Sequence, residues 1–278
     1  MIDDLLKSIR LVPGVVEHLS DDALVMLEME AVKRRDMREP KRRDKTAFEK
    51  EIFSLIRRRF RRQKRKLLQR LAVMTGRKSD PVYIDWLDYF YEEDENNEDE
   101  QYIRGKLVRL VTRAIRAGID IFGDEIGIDY DWTGVNAEAL EFAARYTYEL
   151  VRNIDKTTIE VLRKQVSAFI ETPGMTIGDL ADSLPFGDRR SLTVAVTETT
   201  RAYAEGQKLA GEQLKKDFPD VKVTKTWFTN NDEKVCEICE PLNMTTVEFG
   251  ETFPGGLDAP PAHPNCRCWE STRTRING

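Results

Sequence analysis

In the stretch KEIFSLIRRRFRRQKRKLLQRL, apolar residues recur at intervals of three, four and seven. This places Phe53, Ile56, Phe60, Leu67 and Leu71 on one face of a helix, and arginine and lysine cover the rest. The chain from Ile2 to about Leu71 reads as helices of this kind, broken near Pro13-Gly14 and near Pro40, because proline disfavours helix in the residue before it. IRGKLVRLVTRAIRAGIDIFG predicts another amphipathic helix ending near Gly118 or Gly123, and GVNAEALEFAARYTYELVRNI one more. From Asp155 the pattern restarts. DKTTIEVLRKQVSAFIE reads as a separate helix capped by Asp or Thr and stopped by Thr172-Pro173-Gly174. MTIGDLADSLPF gives a short helix. In the long helix expected from Asp188 to Lys216, Leu192, Ala195, Val196, Thr199, Ala202, Leu209, Ala210 and Leu214 share a side, and Pro219 ends it. The period then drops to two. VKVTKTWFT alternates as a half-buried strand does, and TTVEF is its expected partner.

The length of 278 residues is enough to bury a core without help from cysteines. No apolar run is long enough to cross a bilayer, and MIDDLLKSIRLVPG lacks the basic and apolar regions of a secretory leader, so a soluble, cytoplasmically made protein is expected. The net charge of −5 conceals strong segregation. Basic residues crowd Lys33 to Arg70, whereas YEEDENNEDE, from Tyr91 to Glu100, is expected to be a solvated loop. Arg57, Arg58, Arg61, Arg62, Lys64 and Arg65 are therefore candidates for non-specific contact with double-stranded DNA, since they can neutralise phosphates without reading sequence. The competing expectation is that this helix packs by its Phe and Leu face and pairs with acidic surface, either the 91–100 loop or a partner's.

All four cysteines and one of the two histidines fall between Cys236 and Cys268. Cys236 and Cys239 have the spacing by which one tight turn aims two thiolates at one ion, and His263, Cys266 and Cys268 supply a second group beyond a proline-stiffened loop. Five candidates compete for four tetrahedral positions. The favoured set is Cys236, Cys239, His263 and Cys266, with Cys268 in reserve, on the expectation that Cys266 and Cys268 point to opposite faces of an extended chain and that His263 and Cys266 bracket a turn. The reverse choice stays open. Sulfur with imidazole favours zinc, and Arg267 and Lys234 lie close enough in sequence to offset the charge of the thiolates. The expected fold is thus mainly α with a small zinc-stabilised β element at the C-terminus (α+β). It divides into a helical domain over residues 1–154 and a second domain over 155–278 that ends in the zinc-binding tail.

Four or five protein ligands imply a closed, structural ion rather than a catalytic one with a water position. Neither the deaminase pattern nor H-E-x-x-H occurs, His18 is isolated, and no phosphate loop, nucleophile elbow or dinucleotide fingerprint is present. Glu198 and Arg201, three apart on one helix, are expected to pair, and Asp232 to cap the turn leading to Cys236. The expectation is no catalytic residues and no enzyme.

VTETTRAYAEGQ at 196–207, KTWFTNNDEKVCEIC at 225–239 and PPAHPNCRCW at 260–269 resemble, in order and spacing, the phage Mu F-like minor head proteins of the head morphogenesis family. The resemblance runs from about Asp155 to Thr272. It implies a minor capsid component of a tailed bacteriophage, assembled in the host cytoplasm and residing in the capsid interior of the virion. The partners it implies are the portal, with scaffold or major capsid protein, and sometimes DNA ejected with it. It also implies zinc bound through Cys236, Cys239, His263 and Cys266 or Cys268. A zinc-dependent nuclease or hydrolase acting on phage DNA, with Asp232 near the ion, is the alternative.

Overall fold

A computed structural model describes residues 39–40, 42–74, 97–127, 131–172, 174–230 and 232–276. The helices expected before Pro40, His18 and the acidic run from 91 to 96 lie outside the described residues. Residues 43–278 form one compact unit. Its helices are α1 (Arg42–Met74), α2 (Glu98–Ile126), α3 (Thr133–Glu171), α4 (Ile177–Ser183) and α5 (Asp188–Asp217). A three-stranded antiparallel sheet follows, made of β1 (Val221–Phe228), β2 (Thr246–Glu248) and β3 (Trp269–Ile276) in the order β2-β1-β3. The chain is therefore mainly helical with a small C-terminal sheet.

Of the face expected on α1, Ile56, Phe60 and Leu67 are buried, with Ile52 beside them, in a core shared with Leu107, Ile115 and Phe122 of α2 and Leu162 of α3, whereas Phe53 is only partly buried against it and the Leu71 side chain lies outside the described residues. The cationic cover is less uniform than the sequence implied. Arg59 is buried, its Nε bonded to Glu100 at 2.6 Å and its Nη2 to Asp155 at 2.8 Å. Arg62 also reaches Glu100, which is fully buried. The expectation that residues 91–100 form a solvated loop thus fails at its end: α2 starts at Glu98, and Glu100 is the anionic centre of an arginine cluster. Asp155 does not cap a helix either. The two helices expected on either side of it are one 39-residue helix, α3, and Asp155 faces inward to Arg59. Burial pushes its carboxyl above the usual range, against the pull of Arg59.

α2 continues through Gly118 and Gly123, where an end was expected, because Gly118 serves packing. A Cβ on it would lie 2.1 Å from the carbonyl oxygen of Tyr203, and a Cβ on Gly206 would lie 2.0 Å from that of Ile115. α2 and α5 therefore cross with their backbones in close contact. α3 stops at Glu171 as expected, and α4 opens on a reciprocal cap between Thr176 and Asp179. On α5, Ala195, Val196, Thr199, Ala202, Ala210 and Leu214 are buried and Leu209 is partly so, but Leu192 is 49 % exposed.

β1 and β2 form as predicted. β3 pairs with β1 from Val221↔Ile276 to Phe228↔Trp269 and was not anticipated. The sheet is tied to the helices by Glu125 of α2, whose carboxylate accepts from the backbone N–H (2.8 Å) and hydroxyl (3.0 Å) of Thr272.

Candidate metal centre

The loops between the strands carry a second, separate core made of Trp227, Cys239, Leu242, Phe253, Cys266 and Cys268. Its first half is a tight turn. The N–H groups of Cys239 and Glu240 both donate to the carbonyl of Cys236, at 3.0 and 2.9 Å, so the thiols of Cys236 and Cys239 converge. The second half is the turn His263 to Cys266, closed by the Cys266 N–H on the His263 carbonyl at 3.1 Å. Asn265 takes the left-handed conformation there, at φ 63°, which asparagine tolerates better than most residues.

Five donors meet between the two turns. Nε2 of His263 lies 3.0 Å from Sγ of Cys236 and 3.3 Å from Sγ of Cys239, and Sγ of Cys239 lies 3.7 Å from Sγ of Cys266. They form two triads, Cys236–Cys239–His263 and Cys239–Cys266–Cys268, with the donor atoms of each within 4.8 Å of one another. Cys239 belongs to both. Nδ1 of His263 faces the Pro264 carbonyl at 2.9 Å. A carbonyl can only accept, so Nδ1 carries the proton and Nε2 is left as a lone-pair donor toward the sulfurs.

The expectation that Cys266 and Cys268 diverge is corrected. Side chains two apart in extended backbone share a face, and both thiols turn inward onto Cys239 while Arg267 between them turns out. Arg267 forms a two-pronged pair with Asp232, with both N···O distances at 2.7 Å. That pair, helped by the Lys234 N–H, holds the Asp232 carboxyl down at about 2. Asp232 thus caps the turn into Cys236 as expected. Lys234 and Arg267 both line the recess, about 30 Å³ in volume, into which the donors face.

The thiols are electrostatically unequal. Hydrogen bonding from Cys268 brings Cys266 down to about 5, whereas burial and then the charge of Cys266 push Cys239 up to about 12. Cys268 is driven up by its hydrogen bond to Cys266 and by burial. Without a cation, only part of this set can ionise. A soft divalent ion would stabilise the thiolates together, and four sulfurs with one oriented imidazole fit zinc.

The residues that seat this centre on the helical body were not singled out from sequence. The Thr197 hydroxyl donates to the Thr193 carbonyl at 2.6 Å and accepts the Asn265 N–H at 2.8 Å. The Thr200 hydroxyl donates to the Cys266 carbonyl at 3.4 Å. The signal was present as VTETTRAYAEG, which carried the resemblance without a role. In the same segment Glu198 pairs with Arg201 at 3.5 Å, as expected, and both bond the Tyr146 hydroxyl of α3.

The candidate DNA contacts are divided in their surroundings. Arg57 bonds Asp188 at 2.7 Å, Arg62 is drawn to Glu100, and Arg58 lies over the Tyr102 ring, whereas Arg61 and Arg65 are exposed and Lys64 is half-buried. Among the described residues, no helix is long and apolar enough to cross a membrane.

Comparison with curated proteins and with solved structures gives no match. Residues 150–270, from the second half of α3 through the donor cluster to the start of β3, match the family model described as phage Mu protein F like protein. This segment, with its paired turns of cysteine and histidine anchored on α5, is similar to that of the phage Mu F-like proteins.

Proposed function

We propose that this chain is a minor head protein of a tailed phage, built into the procapsid interior next to the portal, and that the family-matched segment 150–270 carries its docking surface. The observation that carries the reading is the coincidence of the family match with the donor cluster and its anchor on α5. The chemistry of such a segment is then a fastening rather than a reaction. Cys236, Cys239 and His263 with Cys266 or Cys268 would hold one zinc ion. The ion would supply a fixed crosslink between the two turns, and the protein's own groups would orient the imidazole and seat the second turn on α5.

The alternative, a zinc-dependent nuclease or hydrolase, draws on the fifth donor and on Asp232. It is the weaker reading because Asp232 is engaged by both prongs of Arg267, which leaves it a poor proton acceptor. Infected-cell lysate separated into procapsids, mature particles and free protein tests the proposal. The chain is expected in both particle fractions, and its consistent absence from them overturns the reading. X-ray absorption of the zinc-loaded protein separates structure from chemistry: four protein ligands support a fastening, and a bound water supports the alternative.

A further inference from the structure

The outward face of α2 carries a row of cations that neither the donor cluster nor the family match absorbs. Between Gln101 and Ile119 the sequence holds no Asp or Glu but five basic residues. Four of them, Lys106, Arg109, Arg113 and Arg116, follow Tyr102 at steps of four, three, four and three. That spacing keeps all five positions on one side of a helix. Arg109, Arg113 and Arg116 are exposed, Lys106 is half-exposed and Tyr102 is 50 % exposed, while Ile103, Leu107, Leu110, Ala114 and Ile115 between them are buried. The row is therefore the solvent side of a helix whose other side is already used.

Local contacts keep these cations extended without cancelling their charge. Arg109 Nε donates to the Gly105 carbonyl at 3.3 Å, and Lys106 lies 5.6 Å from the centre of the Tyr102 ring. Arg58 of α1 stacks on the same ring at 5.8 Å, which continues the basic surface onto the neighbouring helix. Arg113 lies over Phe48 and meets Glu51 at 3.7 Å, an ion pair exposed on both sides. Exposed pairs of this kind contribute little and exchange readily for a stronger anion.

We propose that this face of α2, extended by Arg58 and Tyr102, is a docking surface for the phosphate backbone of double-stranded DNA. Charge complementarity singles out that occupant. Lys106 to Arg116 spans about 15 Å of straight helix, and three of the four cations are arginines, whose planar fork matches phosphate oxygens. A net charge of −5 over the chain means that these cations are segregated onto one face rather than spread over a basic molecule. An exposed tyrosine flanked by two cations adds a surface for sugar and base edges. Nothing in the row reads sequence, so the binding is non-specific. The inference stands independently of where in the particle the zinc tail docks.

The test is fluorescence anisotropy of the full chain, zinc-loaded, with a short random-sequence duplex across about 50 to 200 mM salt. Four phosphate contacts give a slope of log affinity against log salt of roughly −3.6, and R109Q/R116Q should bring it to roughly −1.8. These two positions are chosen because their loss leaves the Phe48 and Glu51 contacts of α1 intact. R109K/R116K should keep the original slope, which a merely structural role for the arginines would not require. No binding at the lowest salt overturns the proposal. So does an unchanged slope in R109Q/R116Q, which would move the site to the end of α1. Displacement of the duplex by polyglutamate at equal charge would identify an acidic protein as the occupant instead.

Discussion

The helical body and the strand-borne tail are held together by different physics. The body buries side chains from all five described helices, among them Ile56, Phe60, Leu107, Phe122, Leu162, Leu180 and Leu214, in one continuous apolar core. In the tail, three of the six members of its core are the thiols of Cys239, Cys266 and Cys268, beside Trp227, Leu242 and Phe253. Removing apolar surface from water can stabilise the first without further help. The second has placed ligands where a self-sufficient core would have leucine. Its free thiols also compete with one another for ionisation, as the opposite displacements of Cys266 and Cys239 show. A bound cation would do for the tail what hydrophobic burial does for the body.

The largest expected effect separates the two regions outright. Removing the ion with a chelator, or replacing the shared donor by Cys239→Ser, forfeits a binding free energy on the order of 10 kcal/mol. Hydrogen exchange should then lose protection over residues 229–268 and retain it in α2 and α5, with most of the far-UV helical signal kept. If the whole chain melts together, or if the tail stays protected without metal, the contrast between the regions is wrong.

Next in size is the polar centre of the body. Glu100 is fully buried between Arg59 and Arg62, and Arg59 also holds Asp155, so one carboxylate ties α1 to α2 and, through Arg59, to α3. Glu100→Ala leaves a buried guanidinium short of a partner and should cost about 3–5 kcal/mol. The reading is a lower thermal midpoint with no change in zinc stoichiometry. Arg59→Met combined with Glu100→Leu and Asp155→Leu should recover much of the loss, because an apolar set of similar volume leaves none of the three charges buried without its partner. Failure of the triple variant to recover would mean that the network specifies the packing of α1 as well as its energy.

What the sequence made legible follows the same division. Local signals survived: the heptad-like face of α1, the stops at Glu171 and Asp217, the short helix α4, the alternation of β1 and the two ligand turns. Lost were features set by partners distant in the chain. Asp155 looks like a cap until Arg59, 96 residues away, is placed against it. Glu100 reads as one more charge in an acidic run, and β3, with the polar sequence WESTRTRI, becomes a strand only because β1 pairs with it. For Cys266 and Cys268 the misreading lay in the geometry itself, since the alternation of an extended chain puts both on one side and Arg267 on the other.

A smaller effect is expected where α2 and α5 touch. Gly206→Ala would set a methyl group 2.0 Å from the Ile115 carbonyl oxygen, a backbone atom that cannot swing aside, so the helices must separate. Overpacking of this kind costs about 1–3 kcal/mol. Gly134→Ala, with nothing within 4 Å of its Cβ, is the control and should be neutral or slightly stabilising. Because the α2–α5 crossing belongs to the body, Gly206→Ala should lower the body's midpoint while zinc affinity in the folded state stays the same. A matching loss of zinc affinity would show that strain in the crossing reaches the tail.

The smallest effect probes the seam between the regions. Thr197 sits on α5, bonded through its hydroxyl to Thr193 behind it and to the Asn265 N–H in front. Thr197→Val keeps the shape and removes the acceptor, which leaves the Asn265 N–H to water or to nothing at a cost of about 1 kcal/mol. The body's apolar contacts are untouched, so its midpoint should hold. The turn that carries His263 and Cys266 is no longer pre-set, however, and part of the ion's binding energy must go into ordering it. Zinc affinity measured against a competing chelator should fall by about fivefold, the factor that corresponds to 1 kcal/mol, and Thr197→Ser should restore it. If Thr197→Val instead lowers the body's midpoint and leaves zinc affinity alone, the hydroxyl serves α5 through Thr193, and the tail is positioned by its ion and by the β1–β3 pairing rather than by the helix beneath it.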